Sequence, residues 1–557
     1  GFYFSSFYLI LITNKIEYEG EMRKMYKRWT AAAFALLFFC SAGCSGAPAV
    51  SEPACSRIPI SGSHGSSDST TATTSALTES SASLSSENGS SPSASSTSRP
   101  DTSSEISASS DTSAQPEPIV WKESSDFIMP KMFSDNCVLQ QKSTVKVWGE
   151  YKKDGPLTLV LGDQEFHATC TNGKFVFSIS TPAGALKSYD MVIHDGTLKK
   201  TIRKVAIGEV FLCGGQSNMV FFGVELSTKP PEATDGGNPF IRFTNTVPIP
   251  KQAETPQANL QGTWYAMANA TFDGMSAFAN YFSRTMFAQL NVPIGVVTCA
   301  MSDSSLAAWL TPTDAAKLKN ENTSLSAPYY QHTPGQLYNT ILYSFLDYKF
   351  KAAVWYQGES STPETYAQNL QTFITTWRKY LSDASLPFVI VQLPGYDTTS
   401  NWPVLRQGQK AACNALANCA YSVNIDLGEK GNIHPQDKKP AAERAAYAML
   451  NLVYGKNMPC PAVFRNASKN NGTITVEFQN AKGLKLKNNT GVGFEISTDG
   501  RNWTPVDPAK VSVSGSTVRI SGAAGAAHIR YAWASWPEVS LFNGDGLPAE
   551  PFCAALA

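Results

Sequence analysis

Between residues 204 and 456, short apolar runs alternate with stretches whose apolar positions recur at helical spacing, a pattern that predicts an open α/β sheet. Strands are expected at 210–213, 295–299, 352–356, 388–392 and 420–425, and helices at 278–290, 365–381 and 439–453. The blocks on either side have a different period. Residues 119–203 alternate apolar and polar positions, as in Thr144-Val-Lys-Val-Trp148, Leu157-Thr-Leu-Val-Leu161 and Lys174-Phe-Val-Phe-Ser178, with Gly and Asp at the turns. Residues 462–557 return to that pattern in Gly472-Thr-Ile-Thr-Val-Glu-Phe478 and Gly493-Phe-Glu-Ile-Ser497. Both blocks predict β-sandwich-like domains flanking the α/β domain.

Composition changes the picture ahead of residue 119. Residues 45–118 are dominated by Ser, Thr, Ala, Pro and Gly and cannot bury enough apolar surface to offset chain entropy, so a flexible linker is expected there. Upstream, Met22 opens a segment with Arg23, Lys24, Lys27 and Arg28 ahead of the apolar run 29–39, the layout of an export signal. Residues 1–21 are read as an upstream extension outside any fold. The apolar run falls short of the ~20 residues of a membrane span, and it ends at Ser41-Ala-Gly-Cys44, which resembles a bacterial lipobox. Cleavage before Cys44 and lipidation there is the leading expectation, giving a bacterial cell-surface lipoprotein; secretion after Ala42 is the alternative.

Charge and motif searches narrow the function. The 45 basic and 45 acidic residues balance and the basic ones are scattered, so no nucleic-acid footprint is expected. There is no phosphate-binding glycine loop and no Cys-x-x-Cys, and the six histidines never cluster with cysteines at metal spacing, so no metal or other cofactor is expected. Setting Cys40 and Cys44 aside from the eleven cysteines leaves nine, an odd number that argues against a complete disulfide framework. Cys413 and Cys419 are expected to pack together rather than to bond.

The candidate chemistry lies in three segments. In Val210-Phe-Leu-Cys-Gly-Gly-Gln-Ser-Asn-Met219 an apolar strand breaks at two glycines and delivers Ser217 to its end. Glycines there allow a sharp turn and bring backbone N–H groups close to a substrate oxygen. Met at position 219 excludes the Gly-x-Ser-x-Gly elbow of α/β-hydrolases. A serine of ordinary pKa needs a neighbouring base. His64 lies in the low-complexity linker, while His167, His194 and His528 lie in strand-like sequence away from these motifs, leaving His332 and His434. His434, in Asn432-Ile-His-Pro-Gln-Asp-Lys438 at the mouth of a helix, is the candidate base. The third segment is Ala353-Val-Trp-Tyr-Gln-Gly-Glu-Ser360.

Together these segments resemble the sialate O-acetylesterase family, whose catalytic domain is an SGNH (GDSL-like) three-layer α/β hydrolase. Phe133-Ser-Asp-Asn-Cys-Val-Leu-Gln140 is similar to the family's N-terminal β-domain, and Ile529-Arg-Tyr-Ala-Trp533 and Gly546-Leu-Pro-Ala-Glu-Pro-Phe552 to its C-terminal one. The resemblance covers nearly everything after residue 125. It implies a serine esterase that removes O-acetyl groups from sialic acid or related sugars, with Ser217 as nucleophile and His434 as general base. The acid that orients the imidazole is open. The position three before the histidine, where many SGNH enzymes have Asp, is Gly431. Glu359 ranks first, Asp426 second, and a Ser-His dyad held by a backbone carbonyl is the third option. Oxyanion donors implied are the backbone N–H of Ser217, the turn at Ser302-Asp303-Ser304, and the side chains of Gln357 and Asn339. Non-glycine residues in that turn would pay for a positive φ, and an acidic group at 303 would repel an oxyanion. Arg406 and Gln409 match a family segment near the site, which implies contact with substrate or bracing of Glu359. Acetyl-xylan-type esterase and a catalytically weakened glycan-binding protein are the competing functions. A lipase or thioesterase would need a large apolar site that these polar segments do not suggest.

Overall fold

The computed structural model describes residues 120–246, 249, 253–321, 323 and 330–557. The expected export segment, Cys44 and the linker at 45–118 lie outside the described residues.

A seven-stranded sheet runs through the centre of the chain, in the order Trp264–Met267, Asn238–Thr244, Ile294–Ala300, Leu198–Gly215, Ala352–Tyr356, Phe388–Val391, Cys419–Ser422. All pairs are parallel except the outermost, Trp264–Met267 against Asn238–Thr244. Parallel strands covered by helices on both faces read as unbroken apolar runs, and Ile294–Ala300 and Ala352–Tyr356 are buried at every position. The strand ending at Gly215 is central, flanked by Ile294–Ala300 on one side and Ala352–Tyr356 on the other. The chain order reverses across it, so its carboxyl end opens at the switch point where α/β folds build their sites. Helices Ala277–Leu290 and Lys439–Tyr454 pack on each other, as do Pro363–Tyr380 and Trp402–Ala415.

The expected strand at 210–213 lies within the much longer Leu198–Gly215, and the other four expected central strands and the three expected helices are present within three residues of their expected limits. Helix Trp402–Ala415 is not among the expected helices. Pro403 lies in the first turn, where no intrahelical donor is lost. Gly408 faces the neighbouring helix so closely that a Cβ there would lie 3.2 Å from the Ala367 nitrogen.

The expected boundary at 203/204 falls inside the continuous strand Leu198–Gly215. Its first half pairs with Tyr189–His194 of the N-terminal strands and its second half enters the central sheet. The N-terminal block also contains the sheet of Phe127–Ile128, Ser143–Tyr151 and Lys174–Thr181, and the C-terminal block two four-stranded antiparallel sheets. Val423 and Ile425, just after the last central strand, belong to the C-terminal hydrophobic core. The Cys413 and Cys419 thiols are free, 3.3 Å apart, as packing rather than bonding requires.

The strand end is held by large side chains. Trp355 packs against Phe373, Trp377 and Trp309 with ring centroids 4.4, 5.1 and 6.0 Å away. A Cβ on Gly214 would lie 2.8 Å from the Trp355 ring, and one on Gly215 would lie 2.1 Å from the Tyr356 carbonyl oxygen. Gly215 also has φ +146. Gly215→Ala is therefore expected to destabilise the fold by about 3 kcal/mol or more, from overpacking and backbone strain together; chemical denaturation of the purified variant measures it.

Candidate active site

Ser217 opens a short helix, Ser217–Val220, directly after the Gly215 turn. The Gln216 backbone N–H donates to the Tyr356 carbonyl (3.1 Å) and Met301 N–H to the Gly215 carbonyl (3.1 Å), so both neighbouring strands pin the turn. Ser217 itself is half-buried.

The next residue ties the site together. Asn218, 1% exposed, donates through Nδ2 to Glu359 Oε1 (2.7 Å) and to the Ile433 carbonyl (3.1 Å), while its Oδ1 accepts from Lys438 Nζ (2.6 Å). One amide thus joins the serine turn, the segment after Ala352–Tyr356 and the loop carrying His434. That loop is held from within. Glu429 accepts from the Gln436 N–H (2.6 Å) and from Asn432 Nδ2 (2.8 Å), and Asn432 Oδ1 accepts from the His434 N–H (3.0 Å). The loop delivers His434, half-buried, with its ring centroid 6.3 Å from that of Phe221. Burial first, and the Lys438 charge second, lower the His434 pKa, which favours the neutral imidazole.

The Asn218 bond to the Ile433 carbonyl brings the segments that carry Ser217 and His434 together; several other expected site residues have different partners. Glu359 does not touch the His434 ring: its carboxylate grips Asn218, and burial pushes its pKa up to about 7. Asp426 is corrected outright. Both its oxygens are taken by Arg444, at 2.5 and 2.9 Å, an ion pair that braces helix Lys439–Tyr454. Among the described residues no carboxylate hydrogen-bonds the His434 ring. Asp426→Asn should cost about 1–3 kcal/mol of stability by stripping Arg444 of its partner, with kcat changed less than about threefold because no reacting group is touched; thermal denaturation and steady-state kinetics on one preparation check both.

Gln357 is fully buried, with Nε2 on the Ser304 carbonyl (3.3 Å) and Ser361 Oγ (3.0 Å), and Oε1 accepting from Tyr366 (3.0 Å). Both ends are occupied, so it is scaffold rather than an oxyanion donor. Asn339 is turned to the Ala253 carbonyl (2.7 Å). Arg406, 1% exposed, spends its guanidinium on the carbonyls of Leu393, Pro394, Ala534 and Ser535, locking the C-terminal block to the central one; it braces neither Glu359 nor a substrate pocket.

Ser302 follows strand Ile294–Ala300, whose last residue pairs with Gly215. Among the described residues, the backbone N–H groups of Ser217 and Ser302 donate to no protein acceptor, so both remain available to an oxyanion. Asp303 does adopt the positive φ (+54) that its position raised as a cost. Three donors hold it there: Ser360 Oγ (2.8 Å), His332 Nε2 (3.3 Å) and Gln331 Nε2 (3.3 Å). These contacts lower its pKa against the opposing effect of burial. Asn218 and Lys438 are the members of this network that the sequence did not single out. Their one signal was proximity, one residue after the serine and four after the histidine.

A hydroxyl at the carboxyl end of a central strand, a histidine loop tied to the same turn, and backbone donors without protein acceptors among the described residues are the parts that an α/β ester hydrolase uses. Comparison with known proteins goes further. Residues 207–450 match the family model described as carbohydrate esterase, sialic acid-specific acetylesterase. The chain is 25% identical over 500 residues to the sialate O-acetylesterase of Homo sapiens, covering 78% of this chain and 94% of that protein. It is 24% identical over 518 residues to the enzyme of that name from Rattus norvegicus, covering 76% and 94%. Among solved structures it is similar to a carbohydrate acetylesterase from Xanthomonas citri, with TM-score 0.70 and 25% identity over 77% of this chain and 99% of that one. The family-model match lies on the central domain, which is thus similar to the sialic acid-specific acetylesterases among carbohydrate esterases.

Proposed function

We propose that the protein removes O-acetyl groups from sugars by acyl transfer through Ser217, acting on acetylated sialic acid or a related acetylated glycan. The observation that carries this reading is the Asn218 amide, whose bonds to Glu359, the Ile433 carbonyl and Lys438 draw the serine turn and the histidine loop to one point. His434 takes the Ser217 proton as the oxygen attacks the acetyl carbonyl. The N–H groups of Ser217 and Ser302 hold the tetrahedral oxyanion. His434 then protonates the departing sugar hydroxyl, leaving an acetyl-serine. Water, deprotonated by the same histidine, attacks that ester; acetate leaves and Ser217 recovers its proton. With no carboxylate hydrogen-bonded to the imidazole among the described residues, the pair is read as a dyad.

The alternating strands before 198 and after 462 are read as β-sandwich-like flanking domains. The segment 22–44 is read as an export signal ending in a lipid-attached Cys44, which would tether the enzyme at the cell surface. Acetate release from a panel of O-acetylated sialic acid, acetyl-xylan and p-nitrophenyl acetate, each beside Ser217→Ala, tests the function and ranks the sugars. Turnover of a sugar ester that the variant loses supports it. Glycan binding with no turnover on any ester would favour the weakened binding protein.

A further inference from the structure

Lys438 is 2% exposed, and an ammonium buried this deeply is ordinarily matched by a carboxylate. Here its hydrogen bond goes to an amide oxygen, Asn218 Oδ1, at 2.6 Å. Its other close neighbour is the face of Phe221, 4.5 Å from the ring centroid. Carboxylates act on it only at longer range: Glu359, Glu429, Glu225 and Asp437. Desolvation outweighs them and lowers its pKa to about 7.

What this costly arrangement does follows from Asn218. An amide can be flipped, and the flip decides which end faces which partner. A lysine carries only donors, so Lys438 compels the oxygen end to face it. The Nδ2 end is then committed to Glu359 and the Ile433 carbonyl. Ile433 precedes the general base and Asn218 follows the nucleophile.

We propose that Lys438 is a positioning residue for acyl transfer: it fixes the Asn218 amide so that this side chain holds the Ser217 turn and the His434 loop in mutual register. The inference rests on the esterase reading for its catalytic consequence, although the geometry stands without it. The Lys438 charge, after burial, also lowers the His434 pKa. Removing it therefore changes a titration that loss of packing alone would leave in place.

Lys438→Met and Asn218→Ala, made singly and together in the full chain, test the proposal. Each single variant is expected to lower kcat on the order of 10- to 100-fold, the scale of a small misplacement of reacting groups, with KM shifted less than about threefold. The double variant should be no worse than the poorer single one, because both remove the same tie. Additive losses in the double variant, or wild-type kcat in Asn218→Ala, would overturn it; the latter applies even if Lys438→Met does not fold. A second readout needs no turnover: NMR titration of the His434 imidazole should show its pKa moving upward in Lys438→Met. An unmoved titration overturns the proposal, whereas an inactive wild type that still shows the shift counts against the esterase reading alone.

Discussion

Ser217→Ala is expected to lower kcat/KM for acetate release by about 10⁴-fold or more, the usual consequence of deleting a covalent nucleophile. The effect should be confined to chemistry. Ser217 is half-buried at the start of a short helix, and its hydroxyl donates to no protein group among the described residues, so the methyl of alanine replaces it without leaving a buried group unpaired. Tm should therefore stay within a degree or two of wild type, and any residual rate should match that of a site with donors but no nucleophile. A variant that kept wild-type turnover would remove the serine from the mechanism.

His434→Ala is expected to have a comparable effect, about 10⁴-fold in kcat, because it removes the base that would activate the Ser217 hydroxyl. His332 is engaged with Asp303. The pH profile gives the sharper test. Burial and the neighbouring Lys438 charge both disfavour the imidazolium, so the His434 pKa is lowered. A base with a lowered pKa stays unprotonated to more acidic pH. In the wild type, kcat/KM should thus rise with pH through a midpoint below the ordinary imidazole value of about 6.5 and be flat above it. His434→Ala should lose that limb along with the rate. A midpoint above the ordinary value would mean that a carboxylate, not an ammonium, governs the ring.

Much of this architecture is legible along the chain, for a physical reason. Buried parallel strands and their covering helices impose periods of their own, so Ala352–Tyr356 and Lys439–Tyr454 are visible without coordinates. Ser217 stands out as a candidate because a strand breaks at two glycines just before it, and His434 because histidine is scarce. What the sequence hides is which polar side chain meets which. Glu359, Gln357, Asn339 and Arg406 all have the right chemistry for a site, and only the fold shows that Gln357 and Arg406 are spent on backbone carbonyls and neighbouring scaffold. The pairing of Asp426 with Arg444 spans 18 residues and crosses from a strand end to a helix, a contact no local pattern encodes. Conversely, Asn218 and Lys438 pass as a turn residue and a helix-capping charge until a separation of 220 residues closes to a single hydrogen bond.

The central claim is that the acetyl group passes through Ser217. Peptide mass spectrometry after acid quench of wild-type protein in steady-state turnover of an O-acetylated sugar tests it most directly. The account predicts one added acetyl group on the peptide containing Ser217, absent in Ser217→Ala. Acetate release with no adduct on that serine, or with an adduct on a different residue that persists in Ser217→Ala, would contradict it.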